Sequence, residues 1–214
     1  MELAKYIDYT FLKAAGEKDA VRRLCREARK HGFASVCVNP AEVRLAARLL
    51  KGSGVAVCTV VGFPLGQATS AVKRFEALDA VSNGATELDF VINVRLLKYA
   101  PEMCAQELNE LVAACRGARE GLVLKLIIEC CYLTDAEKRL ACRLAKKAGF
   151  DFVKTSTGFG SGGATVQDVR LMRRTVGTRT GVKAAGGIRT REDALAMVAA
   201  GATRLGCSAL IPEA

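Results

Sequence analysis

Eight short β-rich runs alternate along this chain with stretches of helical periodicity, and this alternation limits its fold more than any other feature. The runs are 6–10 (YIDYT), 35–39 (SVCVN), 55–61 (VAVCTVV), 87–93 (ELDFVIN), 122–129 (LVLKLIIE), 151–156 (DFVKTS), 181–185 (GVKAA) and 203–208 (TRLGCS). Their starts lie 20 to 35 residues apart, room for a crossover helix each time, which parallel strands need and hairpins do not. Between them, Ala20, Val21, Leu24, Cys25 and Ala28 share one helical face, as do Val43, Ala46, Ala47 and Leu50. Helix starts are marked at Thr134-Asp-Ala-Glu137, Thr165-Val-Gln-Asp168 and Thr190-Arg-Glu-Asp193, where a hydroxyl can cap the first turn. Helix ends are marked by Gly32, Gly84, Gly149 and Gly201, each just before the next strand. Eight βα units predict an α/β protein, a (β/α)8 (TIM) barrel forming one domain over 1–214. The alternative is a doubly wound open sheet, which needs fewer strands and normally a glycine-rich turn after the first one. The segment Phe11-Leu-Lys-Ala-Ala15 is no such turn.

Composition narrows the function classes. Half of the 214 residues are apolar and a quarter are charged, which excludes a disordered chain. No apolar run approaches the ~18 to 20 residues that span a bilayer, so no membrane association is expected. The N-terminus lacks a basic segment followed by an apolar one, so no cleaved secretory signal is expected. Nine cysteines, an odd number without a C-x-x-C pair, read as reduced core residues of a cytoplasmic protein. His31 is the single histidine; it precedes Gly32 at a helix end and reads as a C-terminal cap, so no metal site is expected. The net charge of +10 favours anionic partners. The basic residues concentrate in helical stretches 21–30 and 138–147, which read as solvated faces, and without tryptophan there is little to stack on bases. The expected partner is a phosphorylated small molecule and not a nucleic acid.

Strand parity places charge inside the barrel. Side chains alternate across a strand. With Leu88, Phe90 and Ile92 facing the helices, Asp89, Val91 and Asn93 face the axis. By the same rule Asp8 and Thr10, Cys37, Lys125 with Glu129, Lys154 and Lys183 also face inward. A barrel interior ordinarily holds branched apolar residues, and burying charge costs several kcal/mol unless the charges pair. Three lysines and several carboxylates on one face form such a paired set. A lysine attacks a carbonyl only as the neutral amine, which a neighbouring ammonium and partial desolvation favour. Lys154 and Lys183 lie on consecutive strands, so one can form an imine while the other stays cationic. Asp89 is placed to move protons through a water. Cys37 reads as a pocket-lining residue with no histidine to activate it. Late in the chain, glycine-bearing runs at 157–163, 186–189 and 206–208 suit a phosphate site at the last barrel loops, through Gly158, Gly186, Gly187, Gly206 and Ser208.

The motifs Ile7-Asp-Tyr-Thr10, Gly32-Phe-Ala-Ser-Val-Cys-Val-Asn-Pro40, Val57-Cys-Thr-Val-Val-Gly-Phe-Pro-Leu-Gly66, Glu87-Leu-Asp-Phe-Val-Ile-Asn93, Lys125-Leu-Ile-Ile-Glu129, Asp151-Phe-Val-Lys-Thr-Ser-Thr-Gly-Phe159 and Val182-Lys-Ala-Ala-Gly-Gly-Ile-Arg189 occur in order along the chain. Together they resemble the deoxyribose-phosphate aldolase family. The resemblance implies a class I aldolase on a (β/α)8 barrel, without metal or cofactor. Such an enzyme cleaves 2-deoxy-D-ribose 5-phosphate reversibly to D-glyceraldehyde 3-phosphate and acetaldehyde in deoxynucleoside catabolism. It implies Lys154 as the Schiff-base lysine, Lys183 as its tuning and proton-transfer partner, and Asp89 as general acid/base. Asp8, Thr10, Lys125 and Cys37 would support them. It also implies phosphate contacts at the glycines and serine just named, and a homodimer or homotetramer. Three departures stand out: Tyr9 where histidine is common, Ala209 where a second serine is frequent, and a chain that stops at Ala214, so that the final helix is expected to be short or missing. Two alternatives remain at this stage, an imine-forming aldolase for another phosphosugar and a non-catalytic phosphate- or nucleic-acid-binding barrel.

Overall fold

Glycine-stopped helices and hydroxyl-capped helix starts dictate where each unit begins and ends. In the computed structural model, which describes residues 2–209, all four predicted helix-ending glycines adopt positive φ: Gly32 at 62°, Gly84 at 107°, Gly149 at 95° and Gly201 at 112°. At the starts, Thr134 and Thr190 form complete capping boxes with Glu137 and Asp193. The Thr165 hydroxyl accepts from the backbone N–H of Asp168, whose carboxylate instead takes the Lys138 ammonium at 2.6 Å.

Among the described residues there are eight strands: β1 Ile7–Phe11, β2 Ser35–Val38, β3 Ala56–Val61, β4 Glu87–Val91, β5 Val123–Ile127, β6 Phe152–Lys154, β7 Gly181–Ala185 and β8 Arg204–Cys207. Eight α-helices separate them: α1 Ala20–His31, α2 Val43–Leu50, α3 Ser70–Ser82, α4 Val94–Tyr99, α5 Pro101–Ala118, α6 Asp135–Ala148, α7 Val166–Val176 and α8 Arg191–Ala199. Every adjacent pair is parallel, and β8 pairs with β1 through Asp8 and Gly206, closing the barrel. Closure removes the open-sheet alternative. The helix expected to be short or missing after β8 falls on residues 210–214, outside the described residues. Among the described residues no helix is long and apolar enough to cross a membrane.

Several strands are shorter than the sequence suggests, for a local reason. Asn93 was expected to face the axis from a strand running to 93. Its side chain instead accepts from the Leu96 N–H at 3.1 Å and caps α4, so β4 ends at Val91. Likewise β5 ends at Ile127, and Glu129 turns the chain with a left-handed conformation.

The main core lies between strands and helices, where Val36, Val38, Leu88, Phe90, Leu124, Leu126, Val153 and Val182 are buried. Toward the axis, Leu12, Cys37, Cys58 and Val60 form a small apolar group, and Val91 and Ile127 are buried on the same strand faces as Asp89 and Lys125; charged side chains lie among them. Among the described residues, one fully buried ion pair lies outside the barrel. Lys73 on α3 meets Glu107 on α5 at 2.8 Å and donates to the Val91 carbonyl at 3.2 Å, while the Ser70 hydroxyl donates to Glu107 at 2.9 Å. The pair ties both helices to the end of β4.

Removing one member strands a buried charge. Glu107→Ala is expected to lower unfolding free energy by about 3 to 5 kcal/mol, and Lys73→Met with Glu107→Leu together to restore much of it. Urea titration checks this; equal losses in the single and double variants would show that burial of charge is not the source.

Candidate active site

Six strands send charged side chains to the axis. Asp8 comes from β1, Glu87 and Asp89 from β4, Lys125 from β5, Lys154 from β6, Lys183 from β7 and Arg204 from β8. Register explains the meeting: Asp89 lies opposite Lys125, and Lys154 opposite Lys183, on adjacent strands. One Asp89 oxygen, Oδ1, accepts from Lys125 Nζ at 2.9 Å and from the Cys58 thiol at 3.2 Å. The other, Oδ2, accepts from both Lys154 and Lys183, each at 2.8 Å. Behind them Lys125 lies 2.6 Å from Glu87 and 3.9 Å from Asp8, and Lys183 lies 2.5 Å from Asp8. Arg204 closes the set at 3.2 Å from Asp8 and 2.5 Å from Glu87.

Burial alone would raise the acids and lower the bases, but the reciprocal pairing wins. Burial pushes the Asp8 carboxyl up, yet Lys183, Lys125 and Arg204 bring it down to about 2. Asp89 is held well below the usual carboxylate range, because Lys125, Lys154 and Lys183 outweigh its desolvation. Lys183 and Lys125 are both raised against desolvation, chiefly by Asp8 and Asp89 for the first and by Asp89 for the second. Burial keeps the Cys58 proton in place by raising its thiol well above the usual value.

Four cations therefore face three carboxylates. Lys125 contacts three carboxylates and Lys183 two, whereas Lys154 contacts one, on an oxygen shared with Lys183. Lys154 is also the one lysine of the three that reaches the cavity above, a space of about 530 Å³ at the C-terminal ends of the strands.

That cavity gathers the other expected residues. Thr10, Gly158, Gly186, Gly187, Gly206 and Ser208 all line it. Gly186 and Gly187 have φ of 89° and 83°, a backbone that a side chain disfavours. A Cβ on Gly163 would lie 2.3 Å from the Gly186 carbonyl oxygen, so the loops after β6 and β7 pack directly on each other. The β7 loop leads into the start of α8, where the Asp193 carboxylate already accepts from the Arg189 and Thr190 N–H groups, each at 3.1 Å, so an anion in the cavity meets the loop at Gly186 and Gly187 and not the helix end.

Two expectations need correction. Cys37 faces inward but is fully buried beneath the cavity and does not line it; it lies opposite Cys58 across β2 and β3. Asp89, expected to reach the reacting centre through a water, is also fully buried and bonds the lysines directly. Cys37, Cys58 and Asp89 place three potential ligand atoms within 4.8 Å of one another. They do not suit a metal ion, since ammonium groups already take both Asp89 oxygens and Lys125 lies 3.3 Å from the Cys58 sulfur. His31 ends α1, 3.6 Å from Glu27 and stacked on Phe33, remote in role from the cavity. Tyr9 packs edge-on against Phe33, as its outward parity implies, and also contributes to the cavity wall.

Sequence reasoning missed Glu87, Cys58 and Arg204 in the cluster and Lys13, Arg23 and Arg189 on the cavity wall. Glu87 was within reach, standing two residues before Asp89 on the same strand face. Arg204 was too, two residues before Gly206.

Comparison with known proteins adds an independent observation. The family model for DeoC/LacD family aldolases matches residues 3–209. A deoxyribose-phosphate aldolase of Carboxydothermus hydrogenoformans is 56% identical over 208 residues, covering 97% of this chain and 91% of that protein. One of Thermoanaerobacter pseudethanolicus is 55% identical over 210 residues, covering 98% and 94%. The tetrameric deoxyribose phosphate aldolase structure from Aeropyrum pernix superposes with a TM-score of 0.89 at 37% identity, covering 96% of this chain and 86% of that one.

The lowered acids make stability depend on pH with a definite sign. A carboxyl held lower in the folded than in the unfolded chain stabilises above its unfolded value and ceases to as pH falls through its folded value. Asp8, at about 2 instead of 3.8, is expected to contribute about 2 kcal/mol above about pH 5, lost between about pH 4 and pH 2. Urea midpoints across this range check it. A flat profile, or one unchanged in Asp8→Asn, contradicts the assignment.

Proposed function

The chain belongs to the DeoC/LacD family of aldolases, and we propose that it is the class I, Schiff-base aldolase that reversibly cleaves 2-deoxy-D-ribose 5-phosphate to D-glyceraldehyde 3-phosphate and acetaldehyde. The observation that carries this reading is a cavity-facing lysine that shares one carboxylate oxygen with a second, buried lysine.

In this reading the neutral Lys154 amine adds to the aldehyde carbon of the open-chain sugar. Loss of water gives an iminium ion on Nζ. The iminium withdraws electrons from the bond between the second and third sugar carbons. That bond breaks as the third carbon's hydroxyl gives up its proton to a water of the cavity, which later returns it to the enamine carbon; glyceraldehyde 3-phosphate is released and an enamine is left on Lys154. Protonation of the enamine carbon and hydrolysis of the imine release acetaldehyde and return the free amine. Lys183, cationic in the resting site, disfavours a second charge on Lys154. Asp89 orients both nitrogens and passes protons between them. The phosphate lies on Gly186, Gly187, Gly206 and Ser208, with Gly158 beside them, so that binding far from the reacting carbon fixes the aldehyde at Lys154.

We place the protein in the cytoplasm, in keeping with nine unpaired cysteines, and as a homodimer or homotetramer. Exposed apolar side chains favour self-association: Leu65 precedes α3, and Val72, Phe75 and Leu78 lie along it, Phe75 being 72% exposed.

Borohydride reduction in the presence of acetaldehyde is expected to fix an adduct on Lys154, seen by peptide mass mapping and abolished in Lys154→Ala. An adduct that persists in Lys154→Ala sinks the mechanism. Turnover is expected to favour deoxyribose 5-phosphate over other sugar phosphates, and a preference for another sugar overturns the substrate assignment. Lys183→Met should lower kcat by at least about 100-fold, whereas Ser208→Ala should act on KM.

A further inference from the structure

Among the described residues Glu129 is the one non-glycine with positive φ, at 52°. A side chain disfavours this conformation, so something must hold it. Glu129 is 3% exposed, and among the described residues no lysine, arginine or histidine lies within ion-pairing distance of its carboxylate. Its partners all belong to the segment just past Lys154 or to its own turn. The Thr157 N–H donates to it at 3.2 Å and 3.4 Å, and the Thr157 hydroxyl donates to Oε2 through a short bond. Cys131 Sγ lies 3.8 Å from Oε1. The Phe159 N–H in turn donates to the Thr157 hydroxyl oxygen at 3.0 Å. Further along, a Cβ on Gly160 would come within 2.9 Å of Cys131 Sγ and 3.2 Å of Glu129 Cδ, so the loop folds closely over the carboxylate. Thr157, Gly158 and Phe159 line the same cavity as Lys154.

A threonine hydroxyl has one proton to donate and two lone pairs to offer. Here the proton is committed to Glu129 and one lone pair to Phe159, which leaves one acceptor. We infer that Glu129 is a positioning residue. It fixes the Thr157–Phe159 wall of the cavity and holds the Thr157 hydroxyl proton away from it, so that this side chain meets a substrate hydroxyl as an acceptor only. The unfavourable backbone at Glu129 is retained because it aims the carboxylate at Thr157. This inference rests on the sugar-phosphate reading of the same cavity, because it concerns hydroxyls that acetaldehyde lacks.

That difference supplies the test. Glu129→Gln and Glu129→Gly are each expected to lower kcat/KM on deoxyribose 5-phosphate about 10- to 100-fold, with borohydride trapping of acetaldehyde staying within about threefold of the parent rate. Glu129→Gly is the sharper variant, since it relaxes the backbone while removing the carboxylate. In a Thr157→Val background the Glu129→Gln change should cost less than about threefold, because the residue it acts through is gone. Thr157→Ser, which keeps the hydroxyl, should retain most of the dependence on Glu129. A Glu129→Gly enzyme with full sugar turnover overturns the inference. So does an equal loss of trapping and turnover, or additive effects of Glu129→Gln and Thr157→Val. If neither Glu129 variant folds, Thr157→Val against Thr157→Ser decides: equal sugar turnover in the two overturns it. Failure of the underlying substrate reading is distinguishable, because the parent enzyme itself would then not turn over the sugar.

Discussion

The carboxylate of Asp89, shared by three lysines at the barrel axis, is the contact from which the remaining chemistry follows. An isolated carboxylate in such a place is untenable, and so is an isolated ammonium. Each is tolerated because the others are present: Asp89 bridges Lys125, Lys154 and Lys183, while Asp8 and Glu87 take up the far sides of Lys125, Lys183 and Arg204. Buried pairing of this kind contributes little net stability relative to a well-packed apolar interior. A barrel whose axis holds seven charged side chains gives up apolar packing there. The least paired lysine, Lys154, is also the one that opens on the cavity.

Much of this was legible in the residues, because the determining rule is short-ranged. A strand alternates its side chains, so an apolar face at Leu88 and Phe90 fixes the direction of Asp89. The same argument places Asp8, Lys125, Lys154 and Lys183 in one interior. Helix ends were equally plain, since a glycine at positive φ or a hydroxyl at a first turn is a local decision. What escaped depends on partners distant in the chain. The spacing of Arg204 two residues before Gly206 sets its face, but its partner becomes evident only in the fold, where it meets Glu87, 117 residues away. Lys73 lies on a helix like any solvated lysine until Glu107 of another helix is seen to enclose it. Asn93 and Glu129 were misjudged for another reason. Both stand where a strand stops, and parity cannot say where a strand stops; a side-chain cap ends one and a left-handed turn the other.

Closure of the barrel is a condition of the site as well as a description of the fold. Asp8 lies on β1 and Lys183 on β7, and the two meet because both strands flank β8. In an open sheet beginning at β1 and ending at β8 these residues would stand on opposite edges, and Lys183 would lose one of its two carboxylates. β6, β7 and β8 are neighbours in the barrel, and their loops line one mouth, where the Ala164 N–H donates to the Gly186 carbonyl at 2.9 Å and the Thr155 hydroxyl to the Ala185 carbonyl at 3.1 Å. Binding and bond-breaking thus occupy successive depths of one cylinder. In the proposed reading the glycine-rich rim receives the phosphate, Lys154 below it meets the carbonyl carbon, and the carboxylates at the bottom distinguish Lys154 from the two lysines they pair more fully.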